Sequence, residues 1–228
     1  MFRSCVCIPE RDTELMLRVH ELRYQVYCIE CGYLPSSQYP DQMETDLLDA
    51  LSAHFCVFNL AGELVGYARL VRPDLAQAFP FQSHCRTLLA GATLAPPVLA
   101  AEVSRLMLRQ DYRRRRGDSL AGITLDEKPA RAEQDMRIHS PQILLSLYRQ
   151  MYAFSRVNGI RYWYAAMEQP LARALAQMGF SFAQIGPLAD YYGQVAPYLG
   201  DLRLLEERLS QSNPVLMAWL RLHPASVD

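Results

Sequence analysis

The residues with the most chemical content lie in one short stretch, Glu102-Val103-Ser104-Arg105-Leu106-Met107-Leu108, followed closely by Arg113-Arg114-Arg115-Arg116-Gly117. An apolar segment headed by an acid, a hydroxyl and a base reads as a buried strand with chemistry at one end. Its exit into consecutive arginines and a glycine predicts a turn that holds an anionic group. A strand beside an anion cradle is what transfer of an acyl group from a phosphopantetheine carrier would need. Glu102 is then the candidate base, because an amine that attacks a thioester must lose a proton, and burial raises a carboxyl toward that task. The competing reading pairs Glu102 with Arg105, Arg69 or Arg23 as a structural ion pair. In an unbroken strand Glu102 and Arg105 point to opposite faces. A bulge or splay near Ser104 to Met107 is therefore predicted, which would bring both to one side and turn backbone N–H groups outward as oxyanion donors. Glu102, Ser104 and Arg105 form the candidate catalytic set.

A second charged set joins Arg23, Asp46, Asp49 and Arg69. Its functional reading is recognition of an acceptor that carries ammonium and carboxylate groups. Its bland reading is a solvated acidic loop with a helix cap, in which Asp46 and Asp49 share one helical face. Leu106, Leu108, Arg113, Arg114, Arg115, Arg116 and Gly117 are the candidate donor site. The arginines would meet pantetheine phosphate and the acidic surface of an acyl carrier protein, or simply make a solvated basic face. An acyl chain needs an apolar slot, for which Tyr148, Met151, Tyr152, Phe154, Tyr162, Trp163 and Tyr164 are suitable, though such residues also make ordinary core. His54 and His139 have no metal-ligand spacing and are given no role.

These groups must be held by a chain of 228 residues, half of them apolar, enough for one domain with a full core. A net charge of −1 excludes a global field for nucleic acid or anionic membrane. No basic stripe with interleaved aromatics points to nucleic acid. No unbroken apolar run of membrane-spanning length occurs, and MFRSCVCIPERD is too quickly charged for a signal peptide, so a cytoplasmic protein is expected. The six cysteines then read as reduced thiols. Cys28-Ile29-Glu30-Cys31 with Cys5-x-Cys7 raises a zinc site, but only one C-x-x-C is present, and buried small hydrophobes are preferred.

Helical spacing runs over residues 11–30 and is stopped by Gly32 and Pro35. A polar, acidic loop follows through Asp49. Residues 54–60 and 64–71 read as a hairpin about Ala61-Gly62. Short helical turns are expected at 75–79 and 86–89, and the central strand at 98–108. Residues 118–139 read as a surface excursion. Ser140-Pro141 should open a helix, with Ser140 as its cap, that stops at Asn158-Gly159. A strand at 162–167, a helix at 170–178, late strands at 180–185 and 190–195, and a broken terminal helix at 202–210 and 215–222 complete the order. The pattern predicts one mixed α/β sheet with helices on both faces.

Leu22-Arg23-Tyr24-Gln25-Val26-Tyr27, Glu44-Thr45-Asp46-Leu47-Leu48-Asp49, Gly66-Tyr67-Ala68-Arg69-Leu70 and Glu102-Val103-Ser104-Arg105 recur in this order in acyl-homoserine-lactone autoinducer synthases, which the chain resembles. It is more similar to N-acyl amino acid synthases and to acyltransferases associated with PEP-CTERM/exosortase systems, residues 22–55 especially. The likeness covers roughly residues 15–200. It implies a GNAT-like fold, an acyl-phosphopantetheine thioester (acyl carrier protein or acyl-CoA) as donor substrate, no permanently bound cofactor, and a small amine acceptor. A lactone synthase using S-adenosylmethionine is the rival within the class. Such enzymes usually carry a tryptophan between the first two motifs, where this chain has none, its tryptophans being Trp163 and Trp219. A non-catalytic module of the same fold that binds an acyl carrier is the rival outside it. Two departures stand: Leu175 occupies the position where a tyrosine often serves the departing thiolate, and Arg114 to Ser119 matches the pantetheine-loop pattern only loosely. Asp190-Tyr191-Tyr192-Gly193 with Pro197-Tyr198 resembles a late motif whose tyrosines would wall the acceptor site or cover the sheet edge.

Overall fold

A computed structural model describes residues 2–7, 11–73, 78–113 and 139–222. The expected hairpin is its centre: β2 (Ser52–Phe58) and β3 (Leu64–Val71) run antiparallel around a turn in which Gly62 takes φ +79. That left-handed value is one an L side chain adopts only with strain. β1 (Arg3–Cys7) flanks β2, and β4 (Ala100–Leu108) flanks β3, both antiparallel. β5 (Tyr162–Met167) lies parallel to β4, but only Ala100–Glu102 pair with Tyr162–Tyr164. Beyond β5 comes β8 (Gln194–Asp201), with the two-residue strands β6 (Ala183–Gln184) and β7 (Ala189–Asp190) on it. The sheet order is β1-β2-β3-β4-β5-β8-β6, with β7 also on β8.

Helices cover both faces because side chains alternate across a strand. α1 (Thr13–Tyr24) buries Met16, Val19 and Leu22 against Cys56, Tyr67 and Met107. α3 (Ser140–Val157) buries Ile143, Leu144, Leu147 and Met151 against Phe55, Val57, Val65 and Leu70 on the other face. Gly66 is the point of closest approach, where a Cβ would lie 2.4 Å from Cγ2 of Ile143. α5 (Leu202–Ser212) and α6 (Pro214–Arg221) extend that second layer. α4 (Gln169–Gln177) follows β5, and Gly179 at φ +92 ends its turn.

Several expectations are corrected. The first helix leaves α-geometry at Gln25 and continues as one π-helical turn to Glu30. Ser140 is the first residue of α3 rather than its cap, and its hydroxyl donates instead to the Tyr112 carbonyl. The region before β4 carries α2 (Pro80–His84), not helical turns at 86–89. The expected turn at 75–79 lies partly, and the excursion at 118–139 almost wholly, outside the described residues. The last long strand is β8 rather than 190–195, and β6 holds only two residues of the stretch 180–185.

Candidate active site

Tyr67 faces Met107 and Arg69 faces Ser104 across β3 and β4, so one residue on β3 is matched by two on β4. The extra residue is the bulge the spacing of Glu102 and Arg105 required, and it falls at Arg105-Leu106. Arg105 takes φ +53, a left-handed conformation seldom seen outside glycine. The kink turns Glu102 and Arg105 to the same side. Pairing of β4 with β5 has ended by then, at Glu102 and Tyr164. The strands part, and a cavity of about 110 Å³ opens between them. Glu102 to Leu106 line it from β4, and Ala165 to Met167 from β5. Tyr27, Tyr33, Tyr191, Tyr192 and Glu168 are among its other walls. Tyr27 comes from the π-helical turn, a geometry that recurs at functional sites.

Glu102 is 2% exposed, and its Oε2 accepts a hydrogen bond from the Phe81 backbone N–H at 3.0 Å. Burial pushes its carboxyl up to about 8, and the Phe81 N–H and the charges of Arg69 and Arg105 oppose only part of that rise. The expected alternative, an ion pair of Glu102 with Arg105, Arg69 or Arg23, is absent among the described residues. α2 brings the Phe81 N–H to this place, and Phe79 and Phe81 pack on Tyr164 at centroid distances of 4.9 and 4.8 Å. Glu102 therefore sits on an apolar floor, which explains the direction of its shift.

Arg105 is held from behind. Its Nη2 donates to Glu44 Oε1 at 2.9 Å and to Asp46 Oδ2 at 3.3 Å. Tyr27 and Tyr192 lie against its guanidinium, at 4.8 and 5.7 Å. Arg23 meets Glu44 and Asp49, each at 2.5 Å. Arg69 grips Asp46 with both Nη atoms at 2.7 Å and reaches Asp49 at 2.6 Å. Three arginines and three carboxylates thus close one neutral cluster. Burial alone would raise the acids. Hydrogen bonds and charge from Arg23 and Arg105 bring Glu44 down to about 2 instead, and Arg69 does the same for Asp46. Buried His54 extends the network, its ring nitrogens bonded to the Tyr67 hydroxyl at 2.7 Å and to the Asp49 carbonyl at 3.0 Å. Burial lowers its pKa first of all, which favours the neutral ring.

Arg23, Asp46, Asp49 and Arg69, expected at the acceptor, come together but do not line the cavity. Their charges are satisfied by one another and by Glu44 and Arg105, so their place is behind the wall. Ser104 and Leu106 line the cavity, whereas Leu108 faces the core. Arg113 is drawn into an ion pair with Glu30 and does not reach the cavity. Arg114, Arg115, Arg116 and Gly117 lie outside the described residues. Of the aromatic slot, Tyr148 lines the cavity. Met151, Tyr152 and Trp163 are core with Phe154 packed against it, and Tyr162 and Tyr164 belong to the cluster under Glu102. Tyr191 and Tyr192 line the cavity. No group of metal ligands occurs among the described residues, and Cys28 and Cys31 are free. Glu44, Tyr27, Tyr33 and Glu168 were not singled out by spacing. Glu44 had a visible signal, an acid two residues before Asp46; Glu168 had none.

Residues 22–122 match the family model of the acetyltransferase (GNAT) domain. The architecture is GNAT-like over the whole described chain, and solved structures share it. TofI in a ternary complex with an inhibitor and MTA is 16% identical over 98% of both chains, with a TM-score of 0.65. The AHL synthase LasI is 19% identical over 88% of this chain and 89% of its own, at 0.60. BjaI, a CoA-dependent acyl-homoserine lactone synthase with SAM and isopentyl-CoA, is 16% identical over 97% and 99%, at 0.59. No curated protein matches in sequence. Among the described residues no helix is long and apolar enough to cross a membrane.

Proposed function

We propose that the protein is an N-acyltransferase that moves a fatty acyl group from a thioester of an acyl carrier protein, or of coenzyme A, to the amine of an amino acid or similar small molecule. The observation that carries this reading is the buried Glu102 carboxyl, raised to about 8, on the wall of a cavity opened by a strand bulge. The acceptor enters as an ammonium and gives one proton to the ionised Glu102. The freed amine forms a C–N bond to the thioester carbonyl, the C–S bond breaks, and the second proton that the nitrogen sheds as it becomes an amide passes, directly or through water, to the departing thiolate. Beyond Glu102 the β4 edge has no β5 partner, so backbone N–H groups there are available to the developing oxyanion. Each such donor is typically worth about 3 kcal/mol of barrier. The same free edges suit the amides of a pantetheine arm, which would pair as an added strand does. Ser104 lines the path, and Arg105, held by Arg23, Asp46, Asp49 and Arg69 through the cluster, gives the wall a fixed dipole. Arg114, Arg115, Arg116 and Gly117, which follow soon after in sequence, are assigned to the donor's phosphate and carrier. The resemblance of residues 22–55 supports a setting among PEP-CTERM/exosortase systems.

The test is mass spectrometry of reactions holding purified protein, acyl carrier protein thioester and a panel of amines. An acyl amide is expected, with turnover falling about 10²- to 10⁴-fold in Glu102→Gln while donor binding is retained. A lactone formed from S-adenosylmethionine would select the autoinducer-synthase reading instead. Donor binding without any product would leave a carrier-binding module.

A further inference from the structure

Of the charged residues that line the cavity, Glu168 has no part in the chemistry above. It follows β5 directly and precedes α4, so it lines the cavity from the strand opposite Glu102. Its carboxylate has no hydrogen-bond or ion-pair partner among the described residues. Burial raises its pKa, and no neighbouring cation offsets that rise. A point beside Gly193 lies 3.9 Å from Glu168 Oε1 and 3.6 Å from the Tyr33 hydroxyl, so both oxygens border one small space. Gly193 keeps it clear at φ +108, where a side chain would be strained.

The charge balance of the cavity points the same way. Arg105 is already matched by Glu44 and Asp46, and Tyr27 and Tyr192 lie against it. Glu102 and Glu168 therefore stand on the wall without a matching cation, and the rings of Tyr27, Tyr33 and Tyr192 pack around the same space. A half-buried carboxylate beside aromatic rings suits an ammonium or guanidinium group.

We infer that Glu168 holds a second cationic group of the acceptor, whose class is a compound with two basic nitrogens, one acylated beside Glu102 and the other bound at Glu168. The inference rests on the acyl-transfer reading.

Its test compares kcat/KM for matched acceptors with one donor: an α,ω-diamine against the monoamine of equal chain length, and a dibasic amino acid against its apolar isostere. The dibasic partner is expected to win by about tenfold or more, the usual scale of a charged hydrogen bond. In Glu168→Gln that ratio should fall toward one, and in Glu168→Lys below it. Acylation of single-amine acceptors with a wild-type ratio near one, or a ratio untouched by Glu168→Gln, overturns the assignment alone. Failure to acylate any amine overturns the acyl-transfer reading and this assignment with it.

Discussion

At the scale of single residues, the carboxyl of Glu102 and that of Glu44 are shifted in opposite directions by the same burial. Glu102 has one backbone N–H and two arginines at a distance, so desolvation wins. Glu44 has two arginines in contact, so they win. The sign for Glu102 follows from its raised value. Its contribution to stability is fully present below about 4.5 and is lost as pH rises through about 8. Glu102→Gln should then melt at a higher temperature than the wild type. The gap should widen between about pH 4.5 and 8 and level off above, reaching roughly 5 kcal/mol at most. The rate should follow the same group: kcat/KM is expected to climb through about pH 8 as the base ionises, and the residual activity of Glu102→Gln to lack that limb. Glu44→Gln leaves Arg23 and Arg105 short of a buried partner and should cost about 3–5 kcal/mol by denaturant unfolding. Glu102 was legible from the sequence because an acid at the head of an apolar strand is unusual. The mutual satisfaction of Arg23, Arg69, Asp46 and Asp49 was not, because spacing along a chain says which charges are near but not which are saturated.

At the scale of elements, the bulge in β4 was legible for a steric reason. Glu102 and Arg105 sit three apart, and only an extra residue puts both on one face. β8 was hidden by Pro197, which lacks a ladder donor and reads as a break, yet it lies opposite Ala166 in an eight-residue strand. The π-helical turn was hidden because one extra residue barely disturbs apolar periodicity, although it fixes where Tyr27 stands. β6 and β7 are too short for any alternation to show. The packing of α3 on the hairpin gives a sharp test. Gly66→Ala drives a methyl against Ile143 and should destabilise by about 1–3 kcal/mol in thermal or denaturant melts. Adding Ile143→Val or Ile143→Ala should recover part of that loss, and no recovery would mean that the contact is not the cause.

At the scale of the whole molecule, the alternating pattern and the order of helices and strands were enough to give the mixed sheet covered on both faces. They could not give the parting of β4 from β5, since nothing local in either strand says that pairing lasts for three residues. The charge cluster also sets a limit on the whole fold in acid. Glu44 and Asp46 titrate near 2 in the folded protein and near 4.5 and 3.8 unfolded. The stability they confer is present above about pH 4.5 and drains away toward pH 2. Equilibrium unfolding at fixed temperature should show that loss over this window, and Glu44→Gln should flatten it.

The three arginines of the cluster come from α1, β3 and β4, while all three acids come from one loop ahead of β2. That loop keeps its full set of partners only while helix and both strands stand in place, so its hold depends on all three elements at once. Amides around residues 44–49 should accordingly exchange with solvent, and yield to a protease, at the pace of global opening rather than as a loose surface segment.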